Sequence, residues 1–362
     1  QHALAMTPEQ VTSRSIMQTQ LIKINPAHPE SDLIQIAAQK ILDGGLVAFP
    51  TETVYGLGAN ALDGDAVSRI FTAKGRPSSD PLIVHIHSLD QLNQVAIEIP
   101  DLAYRLAEKF WSGPLTLVLQ RNESITPAVS AGLNTVAVRM PSHPIALALL
   151  RSANVPIAAP SANLFSRPSP TTAQHVLEDL NDRVDIILDG GRVNIGVEST
   201  VLDLTQSISV VLRPGGTSLE ALRQVIPNCV VRNTYLNAEE SASSPGMLIK
   251  HYSPRAKVLL FDGERESVLR LMVDEARRHH RAGVLLFDED GEEFDGLGVS
   301  VSRLGSESNL AEIANNLFSA MRDLDQKNVD VILVRGVKRE GLGLAIWDRL
   351  LRAAEGNVIR DT

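Results

Sequence analysis

Along the first 230 residues the apolar positions switch repeatedly between two periods, and each switch marks a change from helix to strand. In residues 31–43, SDLIQIAAQKILD, apolar residues recur three and four apart behind a Ser-Asp start, and Gly44-Gly45 ends the run. LVAFP (46–50) then reads as a strand. DAVSRIFTAKG, closing at Gly75, LDQLNQVAIEI, HPIALALLRSAN and TTAQHVLEDL keep the helical spacing, the last behind a Thr cap. LIVHI (82–86), TLVLQ (116–120), TVAVRM (135–140), IAAPSAN, DIILDGG, STVLDL and SVVLRPGG are short strand-like runs stopped by Pro, Gly or polar turns. Short strands alternating with helices predict an α/β domain built on a mixed sheet.

The pattern lapses between 228 and 256, where a Ser-rich polar stretch is followed by Pro-Gly and Ser-Pro. This reads as a linker. Its second half, SPGMLIKHYSPRA, is richer in His, Tyr, Lys and Arg than a plain spacer needs. Beyond it KVLLF, ESVLRLMVDEARRHH, GVLLF, NLAEIANNLFSAMRDLD and DVILVRG alternate again as strand and helix. The expected organisation is a larger domain over 20–230, a linker or lid over 231–255, and a smaller α/β domain over 256–362. A chain of 362 residues is long enough for two cores.

Composition narrows the classes. A net charge of −9 argues against an extended duplex-binding surface, which needs a positive footprint, while leaving room for a local basic pocket. Only 4% of residues are aromatic, too few for a platform of stacked bases. With Cys229 alone there is no intrachain disulfide and no thiolate metal cluster, and that residue reads as a small buried hydrophobe. No apolar run approaches the ~18 residues of a membrane span, and QHALAMTPEQ lacks the basic start and apolar core of a signal peptide. The expectation is a protein of the reducing cytoplasm that does not associate with membranes.

The candidate chemistry sits beside strand ends, where α/β proteins place ligands. Thr51, Glu52 and Thr53 follow the strand at 46–50. Lys74 and Arg76 lie in a turn, and His85 ends a strand. Arg139 closes TVAVR, Ser161 and Asn163 sit in APSAN, Ser199 and Thr200 in VEST, and Arg213 in LRPGG. Taken singly, each has an ordinary reading: threonines capping a turn, a core histidine, arginines in surface pairs. VYGLGANA contains G-x-G-x-x-A, but Thr-Glu-Thr separates it from the preceding strand, and a dinucleotide loop needs the strand directly before the glycines. There is no G-x-x-x-x-G-K-[ST] loop, no metal-ligand spacing and no Ser-His-Asp order. Collected in one place, these cations, hydroxyls and amides suit a polyanion and charge developing on phosphate, and an Arg suits a substrate carboxylate.

Seven segments carry a further resemblance. FPTETVYGLG, KGRPSSDPLIVHI, FWSGPLTLVL, VAVRMPSHP, PIAAPSANLFSRPSPT, VESTVLDL and LRPGG stand in the order found in threonylcarbamoyl-AMP synthases. SPGMLIKHYSP and EGLGLAIWDRLLRAA resemble the longer members, which add a C-terminal domain. The resemblance implies a YrdC-like twisted mixed sheet with helices around a concave basic pocket, plus a smaller Rossmann-like domain. It implies that L-threonine, bicarbonate or CO2 and ATP give threonylcarbamoyl-AMP and pyrophosphate, a nucleotidyl transfer that begins tRNA N6-threonylcarbamoyladenosine formation. A downstream tRNA threonylcarbamoyl transferase would receive the product.

Position by position, Lys74, Arg76, Ser161 and Asn163 match the family's catalytic set. Arg76, Asp80, Thr135, Ser161, Ser169, Arg213 and Tyr252 match ATP-contacting positions, and Thr53, His85, Arg139, Ala159 and Ser199 match the threonine pocket. Family members vary between Asn and Asp around residue 80, and an acid cannot donate to phosphate. Mg2+ would be held mainly by the ATP phosphates, not by a protein cage. By the same resemblance HYSP, with Tyr252, folds over the nucleotide as a lid. Two other readings come from different classes. One is a module that binds double-stranded RNA or tRNA without synthase activity, or contacts tRNA weakly. The other is a carbamoyl-transferring domain of the hydrogenase-maturation type, whose host chains carry Cys motifs that are missing here.

Overall fold

The computed structural model describes residues 18–232 and 252–360. Most of the expected linker, 233–251, lies outside the described residues. The strands of the first part are β1 (Gln20–Lys23), β2 (Val47–Pro50), β3 (Tyr55–Asn60), β4 (Ile83–His85), β5 (Ala96–Ile97), β6 (Leu115–Arg121), β7 (Thr135–Arg139), β8 (Ile157–Ala158), β9 (Ile186–Asp189), β10 (Thr200–Asp203), β11 (Val210–Arg213) and β12 (Val230–Val231). They form one sheet in the order β1-β9-β2-β3-β8-β4-β7-β6-β10-β11-β12, with β5 paired to β6. Parallel and antiparallel pairs mix: β4 runs parallel to β7, while β2-β3, β8-β4, β7-β6 and β10-β11 are antiparallel. The mixed sheet read from the hydrophobic pattern is the sheet observed.

The helices are α1 (Ser31–Leu42), α2 (Gly64–Lys74), α3 (Leu92–Val95), α4 (Asp101–Phe110), α5 (Pro127–Ser130), α6 (Pro144–Ala153), α7 (Ala173–Leu180) and α8 (Leu219–Arg223). α2 shows why its end is fixed. Asp63 caps its first turn through the amides of Asp65 and Ala66, and Gly75 closes it with φ 64°, a conformation that costs glycine nothing. That closure delivers Lys74 inside and Arg76 just past the cap.

One expectation changes and one rejected reading stays rejected. LDQLNQVAIEI is helical only over α3, and its next residues pair with β6 as β5, because β-branched residues beside a free strand edge gain more from sheet pairing than from another helical turn. VYGLGANA is no dinucleotide loop. It is strand β3, hairpinned onto β2 with Phe49 opposite Gly56. A Cβ on Gly58 would come within 2.8 Å of both Ile157 and Phe49, so that glycine serves close sheet packing.

The second part contains β13 (Lys257–Asp262), α9 (Arg265–Arg277), β14 (Ala282–Phe287), β15 (Ser300–Gly305), α10 (Leu310–Gln326), β16 (Val331–Arg335), α11 (Leu342–Ala353) and β17 (Val358–Arg360). Its five strands are all parallel, in the order β15-β14-β16-β13-β17, which is the Rossmann-like arrangement expected. The core does not respect the boundary between the parts. Val54 and Val197 pack in the same cluster as Leu317, Phe318 and Ile346. Buried charges cross it too: Arg322 on α10 reaches Asp179 on α7 at 2.8 Å, and Arg349 on α11 reaches Glu198 at 2.6 Å. No helix among the described residues is long and apolar enough to cross a membrane.

Candidate active site

The ends of β4, β7 and β11, the turn between β2 and β3, and the segment leading into β10 face one cavity. It is lined by Thr51, Thr53, Arg76, His85, Arg139, Ala159, Ser161, Glu198, Ser199, Arg213 and Tyr252, among others. Register explains the convergence. β4 and β7 place His85 directly beside Arg139, and β10 and β11 place Val201 beside Arg213. A Cβ on Gly215 would meet the Glu198 carbonyl oxygen at 2.3 Å, so the glycine of LRPGG lets that turn press against VEST.

At one end Arg139 is 3% exposed, and three of its five N–H donors go to protein groups. It donates from Nη1 to Thr53 Oγ1 at 2.9 Å, from Nη2 to Glu52 Oε1 at 2.5 Å, and from Nε to the Gly113 carbonyl at 3.2 Å. The second Glu52 oxygen accepts from the Ser142 amide at 3.0 Å. This is a preorganised fork, held in plane and partly neutralised by Glu52. Ser199 Oγ lies 2.8 Å from Thr116 Oγ1 and accepts from Arg213 Nη2 at 3.1 Å. Burial, and then the Arg139 charge, lower the His85 pKa from 6.5 to about 3. The imidazole is therefore neutral at physiological pH.

That shift carries a checkable consequence. The folded pKa lies below the unfolded one, so acid favours the unfolded state between about pH 6.5 and about pH 3. The expected result is a His85 ring with no titration between about pH 5 and 8 by NMR, and a destabilisation approaching ~1.4 kcal/mol per pH unit once the medium falls below the unfolded value. A His85 midpoint near 6.5 in the folded protein would contradict the buried, Arg139-flanked placement.

At the other end Arg76, 8% exposed, is clamped by Asp80: Nη2 meets Asp80 Oδ2 at 2.8 Å and the Pro81 carbonyl at 2.9 Å. Asp80 does not line the cavity; it sits behind Arg76 and aims it. Lys74, also absent from the lining, donates from Nζ to the carbonyls of Ser161 and Asn163, each at 2.5 Å, and so holds the APSAN turn from within. Burial, then the neighbouring Arg76 charge, push its pKa well below the usual lysine value. Asn163 braces the next turn, donating to the carbonyls of Leu164 at 2.7 Å and Arg167 at 2.9 Å. Ser169 donates to Glu198. Tyr252, fully buried and left-handed at φ 62°, packs on Phe318 with ring centroids 5.4 Å apart, and forms part of the cavity wall.

Thr135 lies apart, in a neighbouring depression with Val118, Asp203, Leu212 and Arg232. The two hollows share a floor, because Ile83, Val118, Ala137, Val201 and Leu212 form one apolar cluster beneath them. Sequence reasoning noted Glu52 beside its strand without giving it a role and passed over Glu198, although both stand inside the quoted motifs. Their partners lie 87 and 151 residues away, and no local spacing announces such pairs.

A family profile described as "Telomere recombination" matches residues 39–215, and one described as "Threonylcarbamoyl-AMP synthase, C-terminal domain" matches residues 217–355. The threonylcarbamoyl-AMP synthase of Pyrococcus abyssi is 48% identical over 334 residues, which cover 90% of this chain and 95% of that protein. The Bacillus subtilis threonylcarbamoyl-AMP synthase is 45% identical over 325 residues, covering 90% and 93%. The crystal structure of P. abyssi Sua5 complexed with L-threonine aligns with a TM-score of 0.86 at 45% identity, covering 94% of this chain and 99% of that one. The chain belongs to the threonylcarbamoyl-AMP synthase family, in its two-domain form.

Proposed function

We propose that this chain is an L-threonylcarbamoyladenylate synthase, converting L-threonine, bicarbonate or CO2, and MgATP into threonylcarbamoyl-AMP and pyrophosphate. One observation carries the reading. A single cavity is lined by a buried arginine fork, Arg139 with Thr53, by Arg213 bonded to Ser199, and by the separate buried Arg76. The fork fits the threonine carboxylate, with neutral His85 and Ser199 beside its amino and hydroxyl groups. The Arg76 end fits the triphosphate, and the apolar strip towards Thr135 offers the nucleoside a surface.

In this scheme the threonine amino group adds to CO2, releasing a proton to solvent, or condenses with bicarbonate with loss of water, to give a carbamate. A carbamate oxygen then bonds to the α-phosphorus as the bond to the pyrophosphate oxygen breaks. The attacking group is already an anion, so the protein's task is to position it and neutralise charge, with no general base required. Mg2+ would be held mainly by the phosphates of its substrate. Arg76, the Ser161 turn braced by Lys74, and Arg213 would meet the remaining phosphate charge. The product would pass, in the cytoplasm, to the machinery that modifies tRNA.

The test is pyrophosphate release from MgATP with threonine or bicarbonate omitted in turn. Release that needs both is the expected result. ATP turnover indifferent to threonine would overturn the reading, and tight, steeply salt-dependent tRNA binding alongside it would favour the RNA-binding alternative.

A further inference from the structure

The synthase reading leaves a carboxylate unexplained. Glu198 lines the cavity at the nucleotide end, 5% exposed, where an isolated negative charge would repel a polyphosphate. Its charge partner comes from the other domain. Arg349 on α11 is 0% exposed and donates from Nε to Glu198 Oε2 at 2.6 Å, while the other Glu198 oxygen accepts from Ser169 Oγ. The guanidinium is itself fixed. Nη1 donates to Asp348 at 2.5 Å, Arg352 Nε donates to the same carboxylate oxygen at 3.0 Å, and the Arg349 carbon Cζ lies 5.1 Å from the centre of the Tyr252 ring. Among the described residues Glu198 and Asp348 thus lie among the buried arginines Arg213, Arg349 and Arg352. Arg213 donates from Nε and Nη2 to the Ser199 carbonyl and hydroxyl, while Arg349 is the guanidinium that donates to Glu198.

We propose that Arg349 is a positioning residue for the nucleotide half of the cavity: it cancels the Glu198 charge in the cavity wall, and Glu198 in turn is fixed from behind by the Ser169 hydroxyl. The second domain is on this account part of the ATP site. A neighbouring contact points the same way. Arg322, 2% exposed on α10, donates to the Pro168 carbonyl at 2.6 Å and to Asp179, and so grips the segment that carries Ser169. Among the described residues the side-chain bonds of Arg139 and Thr53, and the strand pairing of His85, come from the first domain. Arg349 therefore acts on ATP and not on threonine.

The proposal rests on the synthase reading, and the experiment separates the two. Full-length wild type, Arg349→Gln, Arg349→Lys, Glu198→Gln and the double variant Glu198→Gln/Arg349→Gln are titrated with a non-hydrolysable MgATP analogue and, separately, with threonine. KM for each substrate and kcat are measured in parallel. Arg349→Gln is expected to weaken analogue binding about 10- to 100-fold, as loss of one partner from a buried hydrogen-bonded ion pair does, while threonine affinity stays within about threefold. Neutralising the orphaned acid in the double variant restores most of the analogue affinity, and Arg349→Lys restores part. Unchanged analogue affinity in folded Arg349→Gln overturns the proposal. So does an equal loss for both ligands that Glu198→Gln does not rescue, since that is the mark of a merely structural residue. If Arg349→Gln does not fold, Glu198→Gln against the double variant decides. With Glu198 neutral, removing Arg349 should cost about threefold or less, and a further loss above about tenfold contradicts action through Glu198. Wild type that binds no analogue would instead sink the synthase reading itself.

Discussion

Arg139→Ala is expected to cut threonine-dependent pyrophosphate release by about 10²- to 10³-fold, the scale of losing one partner of a buried charged hydrogen-bond pair. The side chain makes every contact that fixes the fork: Thr53 at 2.9 Å, Glu52 at 2.5 Å and the Gly113 carbonyl at 3.2 Å. Removing it also strands Glu52, 5% exposed, so the variant should lose about 3–5 kcal/mol of stability as well. The two effects separate through Arg139→Lys. An ammonium keeps a charge near Glu52 and recovers part of the stability, but it cannot present two parallel donors to a carboxylate, so threonine affinity stays low. Binding of an ATP analogue to folded Arg139→Ala should remain within about threefold of wild type. Calorimetry with each ligand and a thermal melt decide the matter. A folded Arg139→Ala enzyme working within about fivefold of wild type would show that the fork is not the carboxylate site.

Lys74→Met should lower kcat by about 10²-fold or more, a loss typical of removing one preorganised group that stabilises transition-state charge. Lys74 is 2% exposed, and its ammonium bridges the Ser161 and Asn163 carbonyls, so methionine keeps the volume but releases the turn. A second signature follows from its charge. Burial and Arg76 hold the pKa well below that of a free lysine. A bound triphosphate favours the ammonium and raises the pKa, so binding takes up a proton wherever the pH lies between the free and bound values. Calorimetry of the ATP analogue in buffers of different ionisation enthalpy, scanned from about pH 7 to about pH 10, should reveal that uptake in wild type and its loss in Lys74→Met. Equal proton uptake by both proteins would assign the titration to another group, and an unimpaired kcat would remove Lys74 from the mechanism.

The strands that carry the site were legible because their β-branched runs end abruptly on polar residues: LIVHI closing near His85 and TVAVR on Arg139 became β4 and β7. What periodicity could not show was placement. The ordinary reading of Arg139 and Arg213 as surface residues fails because both are buried, at 3% and 5% exposure, and depth depends on which strands become neighbours. β3 was hidden by its glycines, whose role appears only once Phe49 and Ile157 are seen against them. α4 presents a small apolar face, Ala103, Leu106 and Ala107, which makes a faint stripe in sequence. Ordered motifs, beyond any spacing rule, brought Thr53, Arg76, His85, Ala159, Ser161, Ser199, Arg213 and Tyr252 together as candidates, and one cavity contains them all. Lys74, Asp80, Asn163 and Ser169 stand a layer behind it, a distinction between touching and bracing that no linear motif encodes.

The pairing of Glu198 with Arg349 also sets an order of events while the chain is being made. The partners are 151 residues apart, so at about 5–20 residues per second a ribosome delivers the acid roughly 8–30 s before the base. During that interval the first sheet can be complete, yet the nucleotide wall carries an uncancelled charge. A nascent chain in this state is a poor trap for ATP, and adenylate formation waits until α11 has emerged and docked.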